Sequence, residues 1–123
     1  MAFSTYRKLV SVLKKNCPVA YPVSVRRLHL AECEGDCTKL KDKFYIRIDK
    51  GLPEVGAIDT LIHEWAHARA WNHLYDNLTW EEFEAVAHDA TWGVAYSEVY
   101  RIYEQVFLPE INATNMCKKV RPK

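Results

Sequence analysis

The apolar residues of the chain first recur with the period of an α-helix. In YRKLVSVLKK, residues 6–15, they lie three or four positions apart, and basic residues occupy the opposite face. We therefore predict an amphipathic N-terminal helix that ends before Pro18, because proline cannot continue a helix. A second helical pattern opens at Gly51 and Pro53 and runs to about His73.

Between these two helices the pattern changes to the alternation of apolar and polar residues that is typical of β-strands. Residues 23–30 (VSVRRLHL) predict a first strand, and Lys43–Asp49 (KFYIRID) predicts a third. A short second strand is expected at residues 37–40 (CTKL), after a turn at Gly35 and Asp36. We therefore expect a small three-stranded sheet.

The third helical pattern begins with a recognisable start signal. Thr79 and Glu82 have the spacing of a capping box, in which the side chain of each residue accepts a hydrogen bond from the backbone N–H of the other. The pattern then stays helical to Phe107, with a kink allowed around HDATWG (residues 88–93), until Pro109. A small sheet packed on helices predicts an α+β fold.

Length and composition indicate one ordinary globular domain spanning residues 1–123. The chain has 123 residues, of which 49% are hydrophobic and 27% charged. A formal net charge of +1 gives no strong attraction to nucleic acid or to membranes. We interpret the basic segments 7–15 and 118–123 as a solvated helix face and a frayed tail. No apolar run approaches a membrane span, and no signal peptide is recognisable, so we expect a cytoplasmic protein.

The four cysteines suit a reducing compartment, because a chain of this length does not need disulfides to fold. We expect them to be thiols; they are Cys17, Cys33, Cys37 and Cys117. Cys33 and Cys37 could belong to a metal site, but no second close pair exists. Packing of small side chains near a hairpin is the favoured interpretation.

The second helix carries the chemistry, in the segment LIHEWAHARAWNH (residues 61–73). Residues four apart on a helix project about 40° apart around its axis, so His63 and His67 lie side by side. This spacing lets two imidazoles reach one zinc ion, and Glu64 lies close enough to take a proton from a water on that ion. His-Glu-x-x-His is the zincin signature, whose chemistry is metal-assisted hydrolysis.

The third metal ligand has to come from elsewhere in the chain. His73 has the spacing of the metzincin motif, but Ala70 stands where that motif has a glycine, so the helix should continue. A continuing helix would turn His73 about 120° away from His67. His88, which a short turn and the next helix could deliver, is the preferred ligand. Two glutamates are the alternatives, namely Glu84 and Glu98.

The segment 59–103 resembles the SprT-like metalloproteases. Its HEWAH motif (residues 63–67) is followed by HDATW (residues 88–92), which is similar to the family's histidine-glycine-x-x-aromatic motif carrying the third ligand. The continuation WGVAYSEVYR (residues 92–101) resembles small metallopeptidases encoded by phages and bacteria. The resemblance implies a zincin-like domain with zinc and protease activity. Asp89 replaces the motif's glycine, and the family's DNA-binding extensions are not found, so a role at DNA is less well supported.

We therefore expect a zinc metallopeptidase with one zinc ion per chain, held by His63, His67 and His88. Zinc keeps a fourth position for water and lowers the pKa of that water from 15.7 towards ~7. Glu64 is the expected general base. Tyr96 or Tyr100 could donate a hydrogen bond to the oxyanion.

The expected substrate is a protein or peptide. The strand at residues 43–49, just before the zinc helix, is the expected edge for an extended peptide to pair with. Two other interpretations stay open. A fourth protein ligand, such as His73 or a cysteine, would make the site structural and the protein a non-catalytic zinc module. A nucleic-acid-associated protein could use its basic ends to contact phosphates.

Overall fold

The computed structural model describes residues 5–111, which form helices around one small sheet. Helices and strands follow one another in this order: α1 Thr5–Asn16, β1 Val23–Leu28, β2 Gly35–Leu40, β3 Lys43–Asp49, α2 Glu54–Arg69, α3 Trp80–Val86 and α4 Ala90–Ile102. A 3₁₀ turn, His73–Asn77, lies between α2 and α3, and a π-helical turn, Tyr103–Phe107, follows α4. The predicted α+β class is confirmed. No described helix has the length and apolarity needed to cross a membrane.

The sheet has the strand order β1-β3-β2. β3 pairs in parallel with β1, so that Val25 lies opposite Ile46, and antiparallel with β2, so that Cys37 lies opposite the same residue. The predicted edge role of residues 43–49 is therefore wrong, because β3 is the central strand. The predicted turn at Gly35 and Asp36 is also wrong, since both residues pair with β3 and begin β2.

The core lies between the sheet and α2. The apolar residues of β3 (Phe44, Ile46 and Ile48) are at most 1% exposed, as their alternation requires. They face α2, whose Leu61, Ile62 and Trp65 are equally buried. The indole Nε1 of Trp65 donates to the carbonyl oxygen of Cys17 at 2.9 Å, which ties the end of α1 to the core. These contacts bury one side of α2, and the histidines lie on the remaining surface of the helix.

Gly35 lets β2 approach α2 closely. A Cβ atom at this position would lie 2.5 Å from Cγ2 of Thr60 and 2.9 Å from the carbonyl oxygen of Arg47. Neither distance is compatible with a side chain unless the backbone moves. The glycine thus sets the separation between the edge strand and the helix that carries Glu64.

Helix α2 ends at Arg69, four residues earlier than predicted. Trp71 leaves the helical path and stacks on Phe83 with ring centroids 5.3 Å apart, while its edge meets Phe44 at 5.7 Å. Its Nε1 donates to Asp76 at 2.8 Å. These tertiary contacts outweigh the helix propensity of the ARAW segment, which was the basis of the longer prediction.

The third predicted helix is two helices. Its start is confirmed, because the capping box of Thr79 and Glu82 is present. The helix does not merely kink near residue 88 but ends at Val86, and α4 starts anew after Asp89, whose side chain accepts from the backbone N–H of Trp92 at 3.1 Å. Helical structure also continues past Pro109, after the wider turn at Tyr103–Phe107.

Candidate metal centre

Three histidines from two parts of the chain form one cluster. His63 and His67 project from the same side of α2, and the turn between α3 and α4 brings His88 against them. Each offers one nitrogen, and these three nitrogens lie within 4.8 Å of one another. The Nε2 atoms of His63 and His88 are only 3.1 Å apart. These are the three residues that the sequence predicts as ligands.

The three histidines could hold a metal ion. Nitrogen ligands about 2.0–2.1 Å from zinc in a tetrahedron are separated from one another by about 3.3–3.4 Å. The 3.1 Å between the Nε2 atoms of His63 and His88 is close to that value. Two imidazole nitrogens at such a distance repel unless a proton or a cation lies between their lone pairs. The donor set, three imidazoles, is one that zinc commonly binds.

His73 lies outside the cluster, but not for the predicted reason. It is exposed at the start of the 3₁₀ turn, after α2 has already ended, so rotation along a continuing helix does not decide its position. The alternative ligand Glu98 pairs with Arg69 at 2.9 Å. Among residues 5–111, no fourth histidine, cysteine or carboxylate joins the group of three histidines.

Aromatic rings frame the cluster. Trp92 packs against all three imidazoles, with ring centroids 5.0 Å from His63, 5.6 Å from His67 and 4.8 Å from His88. Phe83 covers His67 from another side at 5.6 Å. These rings restrict the rotamers of the ligands. The sequence indicates Trp92 through its spacing from His88, whereas nothing in the pattern assigns Phe83 to the site.

Burial keeps two of the imidazoles neutral. His67 is 6% exposed, and this burial, reinforced by His63 and His88, lowers the pKa of His67 to about 3. Burial followed by the charge of His88 also lowers the pKa of His63. Only a neutral imidazole has a free lone pair for a metal. Both α2 histidines are therefore in the metal-binding form at neutral pH.

Glu64 lies beside the histidines in an unusual electrostatic setting. It is 7% exposed, and its Oε2 is 4.0 Å from Nε2 of His63. Burial, followed by the negative charges of Asp36 and Glu84, raises the pKa of Glu64 to about 8. A carboxyl group with such a pKa can both accept and return a proton near neutral pH.

Asp36 is the acidic neighbour that sequence analysis did not single out. Its carboxylate forms an ion pair with Arg47, whose Nε donates to it at 2.9 Å. The pair joins β2 to β3, and the negative charge of Asp36 acts on Glu64. The sequence gives little indication of this ion pair. Gly35 and Asp36 are typical of a turn, and a strand predicted to start at Cys37 leaves Asp36 out.

A cleft of about 550 Å³ opens beside the cluster. His63 and Glu64 line one side of it, and both predicted tyrosines, Tyr96 and Tyr100, line it from α4. Burial raises the pKa of Tyr96, with smaller contributions from Tyr100 and Asp59. The Tyr96 hydroxyl is thus a protonated donor at neutral pH. Gly35 at the start of β2 lies in the same cleft.

The three cysteines within residues 5–111 take no part in the cluster. Cys17, Cys33 and Cys37 are free thiols, and burial raises the pKa of Cys37 well above its usual range. Cys117 and the basic tail 118–123 lie outside the described residues.

Comparison of the chain with known protein families, with curated proteins and with solved structures gives no match. The geometry of the cluster and the residues of its motif are therefore the features that indicate a function.

Proposed function

We propose that this protein is a zinc-dependent metallopeptidase that hydrolyses peptide bonds in proteins or peptides. The observation that carries the proposal is the position of Glu64, a buried carboxyl group 4.0 Å from one imidazole of a three-histidine cluster and in the wall of the same open cleft. The resemblance of residues 63–67 and 88–92 to the SprT-like motifs agrees with it.

His63, His67 and His88 would hold one zinc ion, which when bound supplies Lewis acidity and lowers the pKa of water. A purely structural zinc site would need a fourth protein ligand, and the described chain brings none to this group. The side of the cluster at His63 opens to the cleft, which leaves room for water and substrate.

Glu64 accepts a proton from the attacking water and returns it to the leaving amine. Without a metal, burial and the negative charges of Asp36 and Glu84 oppose ionisation of Glu64. A bound cation would favour the ionised form of this carboxyl group, which is the form that accepts a proton.

Tyr96 and Tyr100 would steady the negative charge that develops on the scissile carbonyl oxygen. Both line the cleft opposite Glu64, and their rings lie 5.9 Å apart on α4. Tyr96 also stacks on Trp92 at 5.1 Å. Trp92, which packs against the three histidines, therefore also helps to position the Tyr96 hydroxyl.

The substrate strand would pair with β2. β2 is an edge of the three-stranded sheet in the described chain, and Gly35 at its start lines the cleft together with Glu64. An extended peptide added to this edge would run past the catalytic carboxyl group. This assignment replaces β3, which has strands on both sides.

The test is cleavage of a peptide library by the zinc-loaded protein, with Glu64→Gln as the matched control. Glutamine keeps the shape of the side chain but cannot accept the proton, so cleavage should fall by about 10²-fold or more. Elemental analysis should find one zinc per chain in both proteins. Equal cleavage by Glu64→Gln, or a second zinc that Cys33→Ser removes, would contradict the proposal.

A further inference from the structure

The cleft beside the histidine cluster carries charge of one sign. Three carboxyl groups line it and no lysine or arginine does; the three belong to Glu34, Asp59 and Glu64. Glu64 is the proposed general base. Glu34 and Asp59 have no part in that proton transfer, and both side chains are exposed. A cleft lined by charges of one sign attracts a ligand group of the opposite sign.

Neither of these two carboxylates has a cationic partner within residues 5–111. Asp36 differs in this respect, because it pairs with Arg47. Burial is the largest cause of the raised pKa of Tyr96, and the charge of Asp59 adds to it. Asp59 thus acts on α4 across the cleft. A carboxylate that no side chain of the described chain neutralises is available to a cationic ligand.

Both carboxylates are attached to well-anchored backbone. Asp59 lies on α2, one turn before His63 and about 6 Å from it along the helix axis. The carbonyl oxygen of Glu34 accepts from the backbone N–H of Asp49 at 2.8 Å, which ties the start of β2 to the end of β3. A cation held by these groups would therefore lie beside the metal ligands and not on them.

Thr60 indicates a ligand independently of these charges. It is 9% exposed and lines the same cleft, and its hydroxyl has no hydrogen-bond partner within residues 5–111. Its methyl group faces Gly35, so the hydroxyl points in another direction. In contrast to the enclosed hydroxyl of Tyr6, that of Thr60 is not sealed off from solvent. A nearly buried hydroxyl of this kind is satisfied by a group in the cleft.

The wall on the α4 side is aromatic. Tyr96 and Tyr100 line the cleft there, with ring centroids 5.9 Å apart and ring planes inclined by 39°. Aromatic rings attract cations, and a planar guanidinium can also stack on them. Several separate oxygen acceptors next to aromatic rings suit arginine, which has five N–H donors in one plane, better than the compact ammonium group of lysine.

We propose, resting on the proposed peptidase function, that the cleft selects substrates with an arginine side chain within two residues of the scissile bond. The guanidinium donates to Asp59, to Glu34 and to the Thr60 hydroxyl, and it packs against the tyrosine rings of α4. An extended peptide advances about 3.3 Å per residue, so the offset of one helical turn between Asp59 and His63 corresponds to about two residues.

The first test measures the selectivity of cleavage. In a peptide that the zinc-loaded protein cleaves, each of the two residues on either side of the scissile bond is replaced in turn by arginine or by citrulline, its uncharged isostere. At one of these positions arginine should raise kcat/KM at least about tenfold over citrulline, because charge-assisted hydrogen bonds form. Asp59→Asn should lower this ratio about fivefold. The ratio does not depend on how much of a variant is folded.

Asp42→Asn is the matched control for the loss of one negative charge. Asp42 is exposed in the turn between β2 and β3 and does not line the cleft. Its replacement should change the arginine-to-citrulline ratio less than about twofold. An equal fall of the ratio in both variants would mean that net charge, and not a site at Asp59, attracts arginine.

The second test does not depend on hydrolysis. N-acetyl-arginine amide and its citrulline and lysine counterparts are titrated into the full chain at constant ionic strength, and the ¹⁵N–¹H resonance of Gly35, which lines the cleft, follows binding. The arginine compound should have a Kd at least about fivefold lower than the citrulline compound, and Asp59→Asn should remove the difference.

The two tests separate failure of the arginine site from failure of the peptidase. Equal binding of the arginine and citrulline compounds would overturn the arginine site even if peptides are cleaved. Lysine binding as tight as that of arginine would overturn the assignment to a guanidinium. Arginine-selective binding that depends on Asp59, without cleavage of any peptide, would contradict the peptidase proposal alone.

Discussion

The Nε2 atom of His88 lies 3.1 Å from the Nε2 atom of His63, although the two residues are 25 positions apart in the chain. The approach depends on the break between α3 and α4. Asp89 caps the new helix, and this places the preceding residue in a turn that faces α2. Asp89, which stands where the SprT-like motif has a glycine, thus caps the N-terminus of α4.

This relationship predicts how zinc binding responds to loss of each candidate ligand. His88→Ala should weaken zinc binding by at least about 10²-fold, because two imidazoles remain where three converge. His73→Ala should leave the affinity unchanged, since His73 is exposed and lies outside the cluster. Competition with a chromophoric chelator measures both affinities. Loss of zinc from His73→Ala with retention by His88→Ala would contradict the assignment.

The sequence predicts the elements that depend on local pattern. β3 alternates strictly because one face is buried, and its observed bounds, Lys43–Asp49, are those predicted. The capping box at Thr79 is equally local and is also confirmed. His63 and His67 follow from helical periodicity. Their neighbour His88 could be predicted only because two ligands require a third.

The features that the sequence does not predict depend on contacts between distant residues. The early end of α2 results from the stacking of Trp71 on Phe83, and no local propensity encodes that contact. Strand order is likewise non-local: residues 43–49 alternate in the same way whether the strand is central or at an edge. The sequence pattern therefore cannot show that β3 is central and β2 is at an edge.

Proton release on metal binding should report the raised pKa of Glu64. With a pKa of about 8, the carboxyl group of the metal-free protein carries a proton at pH 7. A bound dication nearby lowers this pKa, so the proton leaves as zinc binds. Calorimetry in two buffers of different ionisation enthalpy counts the protons. Glu64→Gln should release about one proton fewer than the wild type, and equal release would show that Glu64 is already ionised.

Gly35→Ala should destabilise the fold. The added methyl group would lie 2.5 Å from Cγ2 of Thr60, so β2 and α2 must separate. A cost of about 1–3 kcal/mol in the free energy of unfolding is expected for such overpacking. Gly93→Ala is the control, because its added Cβ would meet no atom within 4 Å beyond its chain neighbours and the backbone of its own helix. Alanine in α4 should stabilise by about 0.5–1 kcal/mol. Urea denaturation compares the two. Equal effects of the same sign would show that close packing at Gly35 is unimportant.

Tyr6 should make the folded state sensitive to alkaline pH. Burial, only partly offset by the charges of Arg27 and Arg7, raises the pKa of Tyr6 to about 12 from its ordinary value of 10.0. A group with a raised pKa in the folded state stabilises the fold fully below its unfolded pKa, and this stabilisation is lost as the pH rises from 10 through 12. At about 1.4 kcal/mol per pKa unit, the loss amounts to about 2–3 kcal/mol.

Tyr6→Phe should remove this loss, because phenylalanine has no proton to release. Tyr21→Phe is the matched control, since it removes the same hydroxyl group from a side chain that is 37% exposed. Urea denaturation in phosphate-free buffers between pH 9 and pH 12 gives the slope of unfolding free energy for each protein. The wild type and Tyr21→Phe should lose stability together while Tyr6→Phe loses less. Parallel slopes for all three proteins would mean that the Tyr6 hydroxyl ionises in the folded state as easily as in the unfolded chain.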